Sequence, residues 1–193
     1  FALKLPMQWY VFGFDNGLTA DIDAKQYAYF ASLADKLPAN AKIVVVTHDP
    51  NWILDNYEGA PQHRRYLDAL LSRSTIKPKL RLRLAGDIHN YMRHTSKSGG
   101  GPTLIVSGGG GAFLHPTHCA KLGREPLSYQ GKTYEQNRAF PSCEMSRRMG
   151  YANMWKFRKR NLLFDFVGGL LYIGLAYPIL TRCWSDELVC SSF

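Results

Sequence analysis

Leu80-Arg81-Leu82-Arg83-Leu84-Ala85-Gly86-Asp87-Ile88-His89 is the stretch from which the rest of the chain takes its place. Leucine and arginine alternate with a period of two, the pattern of a strand with one apolar face. The strand then meets a glycine and presents a carboxylate and an imidazole two positions apart. Asp-x-His just past a strand can aim two ligands at one metal, or at two adjacent ones. Gly-Asp after a strand is also ordinary turn chemistry. The weight of the motif therefore depends on how the neighbouring strands end.

Upstream, Ile43-Val44-Val45-Val46 is a continuous β-branched run, as in strands buried on both faces, and it ends in Thr47-His48-Asp49-Pro50. Earlier still, the aromatic run over residues 9–14 closes in Asp15-Asn16-Gly17, a strand followed by a turn. Between them, Tyr27, Phe30, Ala31, Ala34 and Leu37 recur at helical spacing over residues 21–37, and Pro38 stops the pattern. A loop begins at Asp49-Pro50, and a second helix is expected over residues 62–73 with Tyr66, Leu67, Leu70 and Leu71 facing inward. Downstream, residues 103–107 read as a strand ended by Gly108-Gly109-Gly110-Gly111. This order predicts an α/β layered domain. Asp15 and Asn16, His48, Asp87 and His89, and the Gly108 turn all follow strands. If those strands are largely parallel, the loops share the sheet edge at which open α/β sheets bind ligands. His48 and His89 then become ligand candidates, with Asp15 and Asn16 lining the site. His115 and His118, in His-Pro-Thr-His, either occupy a surface loop or line the same edge.

A chain of 193 residues holds one domain of ordinary size, and 46% hydrophobic residues exclude wholesale disorder. The formal net charge of +9, with bases crowded into residues 121–160, allows an anionic partner: nucleic acid, an acidic membrane surface or a phosphorylated substrate. Cys119, Cys143, Cys183 and Cys190 form no Cys-x-x-Cys pair, which argues against a zinc knuckle or a small disulfide framework. No signal-peptide pattern precedes the first strand. Periodicity fades after about residue 114, and residues 123–160 read as an irregular basic connector. Residues 162–180 are nearly all apolar, broken only by Asp165, and a bilayer core needs roughly 20 such residues in a helix. Lys156-Phe157-Arg158-Lys159-Arg160 stands just before them, which puts the preceding part in the cytoplasm by the positive-inside rule. The competing reading is a buried helix of a soluble domain. No stacking-aromatic motif accompanies the basic residues, so nucleic acid is not expected as a partner.

Val44-Val45-Val46-Thr47-His48-Asp49-Pro50 and Gly86-Asp87-Ile88-His89-Asn90-Tyr91-Met92-Arg93 resemble the last two signature blocks of calcineurin-like metallophosphoesterases. Those blocks are a strand ending in His-x-Pro and a later Gly-His-x-His, extended in some branches by Tyr and Arg. Residues 1–122, with Thr47-His48-Asp49-Pro50-Asn51-Trp52 and Gly109-Gly110-Gly111-Ala112-Phe113-Leu114-His115-Pro116-Thr117-His118, look most like a membrane-associated branch known from plants. The resemblance implies an α/β fold, the C-terminal half of an αββα sandwich, and hydrolysis of a phosphoester at two divalent or trivalent metal ions (Mn, Fe or Zn). His48 would bind the second metal and His89 the first. Asp87 falls where the commoner pattern has the first histidine of Gly-His-x-His, a swap that hardens the site. Asn51, Tyr91 and Arg93 would bind substrate, Arg93 as a fork on a phosphate oxygen and Tyr91 as a hydrogen-bond donor. A surface cation and a packing aromatic are the alternative roles for the last two. The family's early blocks (Asp-x-His, Gly-Asp-x-x-Asp and Gly-Asn-His-Asp) are absent, and with them the general-acid histidine. The expected organisation is the C-terminal part of a phosphoesterase domain over residues 1–122, the connector over 123–160, a transmembrane helix over 161–183 and a tail over 184–193. Such a chain needs its upstream half and is inactive alone. The rival is a membrane-anchored non-catalytic interaction module or pseudoenzyme.

Overall fold

The computed structural model describes residues 1–16, 20–58, 64–110, 113–119 and 124–190, with the side chains of all of these except residues 157 and 182–190. Gly17, Gly111 and Ala112, quoted above, and residues 62–63 and 121–123 of the ranges read there lie outside the described residues. The chain forms two compact units, Phe1–Arg147 and Arg148–Phe193.

The first unit is built on one eight-stranded sheet. Its strands are β1 (Ala2–Leu5), β2 (Trp9–Gly13), β3 (Lys42–Thr47), β4 (Leu80–Ala85), β5 (Tyr91–Ser96), β6 (Thr103–Ser107), β7 (Leu127–Tyr129) and β8 (Lys132–Phe140). They lie in the order β1-β2-β3-β4-β6-β5-β8-β7. β2, β3, β4 and β6 run parallel, while β1, β5, β7 and β8 pair antiparallel with their neighbours. Helices α1 (Ala24–Asp35), α2 (Asn51–Glu58) and α3 (Arg65–Ser72) fill the crossovers between the parallel strands. Asp23 caps α1 by accepting from Gln26 N–H (2.8 Å). Asp21 performs a similar task at a distance, accepting from the Tyr66 and Leu67 amides (3.0 and 2.8 Å) that α3 leaves free in its first turn. α2 occupies what reads in sequence as a loop: the Pro50 carbonyl accepts from the Ile53 and Leu54 amides (2.8 and 3.2 Å), so Asp-Pro opens a helix here.

The core lies on one face of the sheet. Phe12, Phe14, Phe30, Ile43, Val45, Leu67, Leu70 and Leu80 form one cluster; Trp52, Ile53, Ala85, Met92, Leu104, Val106 and Tyr134 form another. Phe30 meets Phe12 and Phe14 at ring distances of 5.2 and 4.5 Å, and each ring so buried is worth roughly 1.5–3 kcal/mol. The opposite face is also apolar, but its residues Val11, Val44, Val46, Leu82, Leu84 and Ile105 are only half-buried. The β-branched run of β3, expected to be covered on both faces, is thus fully covered on one.

A bulge corrects the reading of β4. Ile43 pairs with Leu80, but Val44 pairs with Leu82, so Arg81 is skipped. One extra residue reverses the side-chain alternation after it. Leu80 enters the core, Leu82 and Leu84 turn to the open face, and Arg83 is buried beneath the helices. The single apolar face expected from Leu-Arg-Leu-Arg-Leu is therefore split between the two sides.

The expected connector over residues 123–160 is corrected as well. β7 and β8 form a hairpin within it, and β8 pairs with β5 to widen the sheet. Alternation is blurred there because Lys132, Glu135 and Arg138 are interspersed along an exposed strand. Helix α4 (Cys143–Ala152) follows. In the second unit come a π-helical turn (Asn153–Phe157), a short α5 (Arg158–Arg160) and α6 (Leu162–Cys190). Leu162–Thr181 of α6 is long and apolar enough to cross a membrane, with none of it buried. At 1.5 Å per residue it spans ~30 Å, the thickness of a bilayer core.

Candidate metal centre

Because β2, β3, β4 and β6 are neighbours and parallel, the loops that leave their C-terminal ends share one edge of the sheet. Asn16, after β2, is buried, and its Oδ1 accepts from the His48 amide (3.0 Å). The first loop therefore holds the backbone of the second. Asp15 is exposed; Gln26 of α1 holds its main chain through two hydrogen bonds of 2.9 Å. The third loop joins the second through Gly86 N–H, which donates to the His48 carbonyl (3.0 Å). The fourth closes on the third: Gly108 N–H donates to the Asn90 carbonyl (3.0 Å), and a Cβ on Gly108 would lie 2.2 Å from the Ile88 carbonyl oxygen. Only glycine allows that approach.

These contacts bring His48, Asp49 and Asp87 together, with ligand atoms all within 4.8 Å of one another. His48 Nδ1 meets Asp49 Oδ1 at 2.5 Å. The hydrogen bond to Asp49 raises the His48 pKa above its ordinary value; partial burial opposes the rise, and the charges of Asp49 and Asp87 add to it. Carboxylates that favour a protonated imidazole also favour a metal cation in the same place. Asp49 was not among the ligand candidates from sequence, since Asp-Pro after a strand reads as turn chemistry. Its adjacency to His48 was the available signal.

His89 lies outside that cluster. Its ring packs against Phe113 and His115, with centroids 4.6 and 5.1 Å away. Its Nδ1 is buried with no hydrogen-bond partner, a condition that buried polar atoms rarely tolerate. One imidazole and two carboxylates within reach of one another, with an orphaned imidazole nitrogen two residues from Asp87, suit a borderline to hard cation. The residues present fit a metal.

His115 joins this edge, and His118 does not. The His89 amide donates to His115 Nδ1 (2.8 Å), and the His115 amide donates to the His89 carbonyl (3.2 Å). With Nδ1 accepting, a neutral His115 carries its proton on Nε2. His118 Nδ1 instead contacts Ser146 Oγ of α4 (2.9 Å), beside Thr117, whose amide donates to the same oxygen (3.0 Å). Tyr91 and Arg93 lie on the open face of β5, Tyr91 opposite Ser107 and Arg93 opposite Ile105. Asn51 is buried, and its Oδ1 accepts from Arg83 (2.9 Å), so that this oxygen is engaged within the protein.

No protein-family model matches the chain, and no curated protein matches it. Among solved structures it is similar to the purple acid phosphatase PPD1 from seeds of yellow lupin (Lupinus luteus), at a TM-score of 0.43 and 16% sequence identity. The similarity covers 59% of this chain and 23% of that one.

Proposed function

We propose that the first unit is one half of a metal-dependent phosphoester hydrolase and that α6 anchors it to a membrane. The observation that carries this reading is the meeting of His48, Asp49 and Asp87 at the C-terminal edge of parallel strands, in the motifs that resemble the metallophosphoesterase blocks. The half-buried apolar face over Val44, Val46, Leu82 and Leu84 supports it too. A second sheet, from the upstream half of the same domain, would cover that face and complete an αββα sandwich.

His48, Asp87 and His89 are the proposed ligands, with Asp49 added to them. Two divalent or trivalent ions (Mn, Fe or Zn) would, when bound, polarise the phosphoryl oxygens and supply a nucleophile at neutral pH. Asn16 orients His48 through its backbone, and His115 holds the His89 loop in place. Arg93 and Tyr91 are the proposed substrate groups, binding the phosphoester by a fork and a hydrogen bond, and Tyr91, opposite Ser107 at the end of β6, lies nearer the edge. The leaving-group acid is assigned to the upstream half. The basic run over residues 156–160 supports a cytoplasmic position for the hydrolase part.

The test is hydrolysis of p-nitrophenyl phosphate. The 193-residue chain is expected to turn it over no faster than buffer with free metal, because its ligand set is incomplete. Joined to its upstream half it should be active, and His48→Ala or His89→Ala should each abolish turnover. Metal-dependent activity of the chain alone, lost on His89→Ala, would mean that all the ligands lie within these residues. Turnover of the joined protein that neither substitution alters would move the catalytic ligands away from His48 and His89, and a joined protein with no turnover would leave a non-catalytic membrane module as the reading.

A further inference from the structure

Arg83 carries a positive charge into the helix-covered side of the sheet, where it is 2% exposed. Its guanidinium donates to Asn51 Oδ1 (2.9 Å), Thr47 Oγ1 (3.4 Å) and the Tyr129 hydroxyl (3.1 Å). None of these acceptors is a carboxylate. The rings of Trp52 and Tyr129 flank it at 5.1 and 5.8 Å. A buried guanidinium whose hydrogen bonds all go to neutral groups is costly even with the charge of Asp68 acting on it, and an aliphatic side chain would fill the space without that cost.

What distinguishes the site is which backbone it grips. Thr47 and Asn51 stand at the two ends of the His48-Asp49-Pro50 turn. Thr47 Oγ1 also donates to the Asp49 carbonyl (3.0 Å), so one amino group of Arg83 reaches both ends of the turn and, through Thr47, its middle. The other amino group is fixed by Tyr129 of β7. A planar fork can hold such fixed directions, whereas a lysine ammonium cannot. We propose that Arg83 is a positioning residue that keeps the His48-Asp49 turn in ligating geometry through its hydrogen bonds to Thr47 and Asn51. The metal part of this proposal rests on the metal-centre reading above; the grip on the turn does not.

Two measurements test it in the detergent-solubilised protein: Co(II) titration followed by visible absorption, and amide hydrogen exchange. The amides of His48, Ile53 and Leu54 are the reporters, since each is hydrogen-bonded in or beside the turn. Arg83→Lys and Arg83→Met are expected to weaken Co(II) binding about 10- to 100-fold, as is usual for residues behind a ligand. Exchange should quicken at those reporters while β2 and β3 stay protected. Tyr129→Phe, which keeps the charge and the ring, should act in the same direction by about two- to tenfold. Wild-type affinity and wild-type exchange in the Arg83 variants would overturn the proposal. So would faster exchange spread evenly through the sheet, the mark of a residue that only stabilises the fold. If the wild-type chain binds no Co(II) while Arg83→Lys still loosens the reporters, the metal-centre reading fails and the positioning role stands.

Discussion

Asp87 has φ of 55°, in the left-handed region that L-residues other than Asn and Asp seldom enter. Two tight turns surround it: Ile88 N–H reaches the Gly86 carbonyl at 2.6 Å, and Asn90 N–H reaches the Ile88 carbonyl at 2.7 Å. A fold that served stability alone would place glycine at such a position, so the carboxylate is kept against a conformational cost of about 1 kcal/mol. Asp87→Gly is therefore expected to hold or raise the melting temperature while weakening Co(II) binding. A variant that melts lower would show instead that the carboxylate supports the fold. At this scale much of the site was legible. The places of His48 and Asp87 after strands put them on the edge where their ligand atoms meet, whereas His89, read from the same pattern, lies outside that group. Asp49 was hidden by its proline, and Arg83 by a bulge that no local pattern marks. His115 and His118, read alike in His-Pro-Thr-His, have different partners, the His89 amide for one and Ser146 of α4 for the other, and neither partner is visible in the motif.

Elements whose side chains answer to one period were readable. The helix expected over residues 21–37 is α1, Ala24–Asp35, and that over 62–73 is α3, Arg65–Ser72. β5 was missed because Tyr91-Met92-Arg93-His94-Thr95-Ser96 buries Met92 and His94, and histidine breaks an apolar count. The β7–β8 hairpin was missed because Lys132 and Glu135 fall on opposite sides of β8 and a register shift at Asn137 breaks the alternation. Its anchor is Tyr134 of β8, which is 1% exposed. Burial, and then the neighbouring Tyr129, raise the Tyr134 pKa from 10.0 to about 12. The folded chain thus holds this phenol proton more tightly than the unfolded chain does. The stability it contributes is intact below pH 10 and is lost as the pH rises toward about 12. Tyr134→Phe should flatten the alkaline limb of stability over that interval, measured as the urea midpoint against pH. An unchanged limb would assign the loss to other groups.

For the whole molecule, composition separated an α/β part from an apolar helix. The boundary expected at residue 122 falls short of the first unit, which runs to Arg147. Loss of periodicity marked a change of surface chemistry, not the end of the sheet. The second unit carries Leu162–Thr181 with large apolar side chains such as Phe164, Tyr172 and Leu175 exposed. Exposed apolar surface of that extent requires lipid or protein to cover it. A glycosylation acceptor placed just before Lys156 is expected to remain unmodified in microsomes, with the protein in the membrane pellet. Efficient glycosylation would reverse the orientation, and recovery in the supernatant would remove the membrane span.

β6 enters the sheet between β4 and β5, although β5 precedes it in sequence. β5 and β6 form an antiparallel pair closed by a short link, whereas β4 and β6 pair parallel. Local hairpins form on microsecond timescales, and distant pairings wait on the closure of longer loops. The β5–β6 hairpin is thus suited to assemble early and dock through β6 as one piece. Asp87, two residues past the end of β4, is expected to reach His48 when β3 and β4 pair, and docking of the hairpin then seats the Gly108 turn beside it in the event that closes the middle of the sheet.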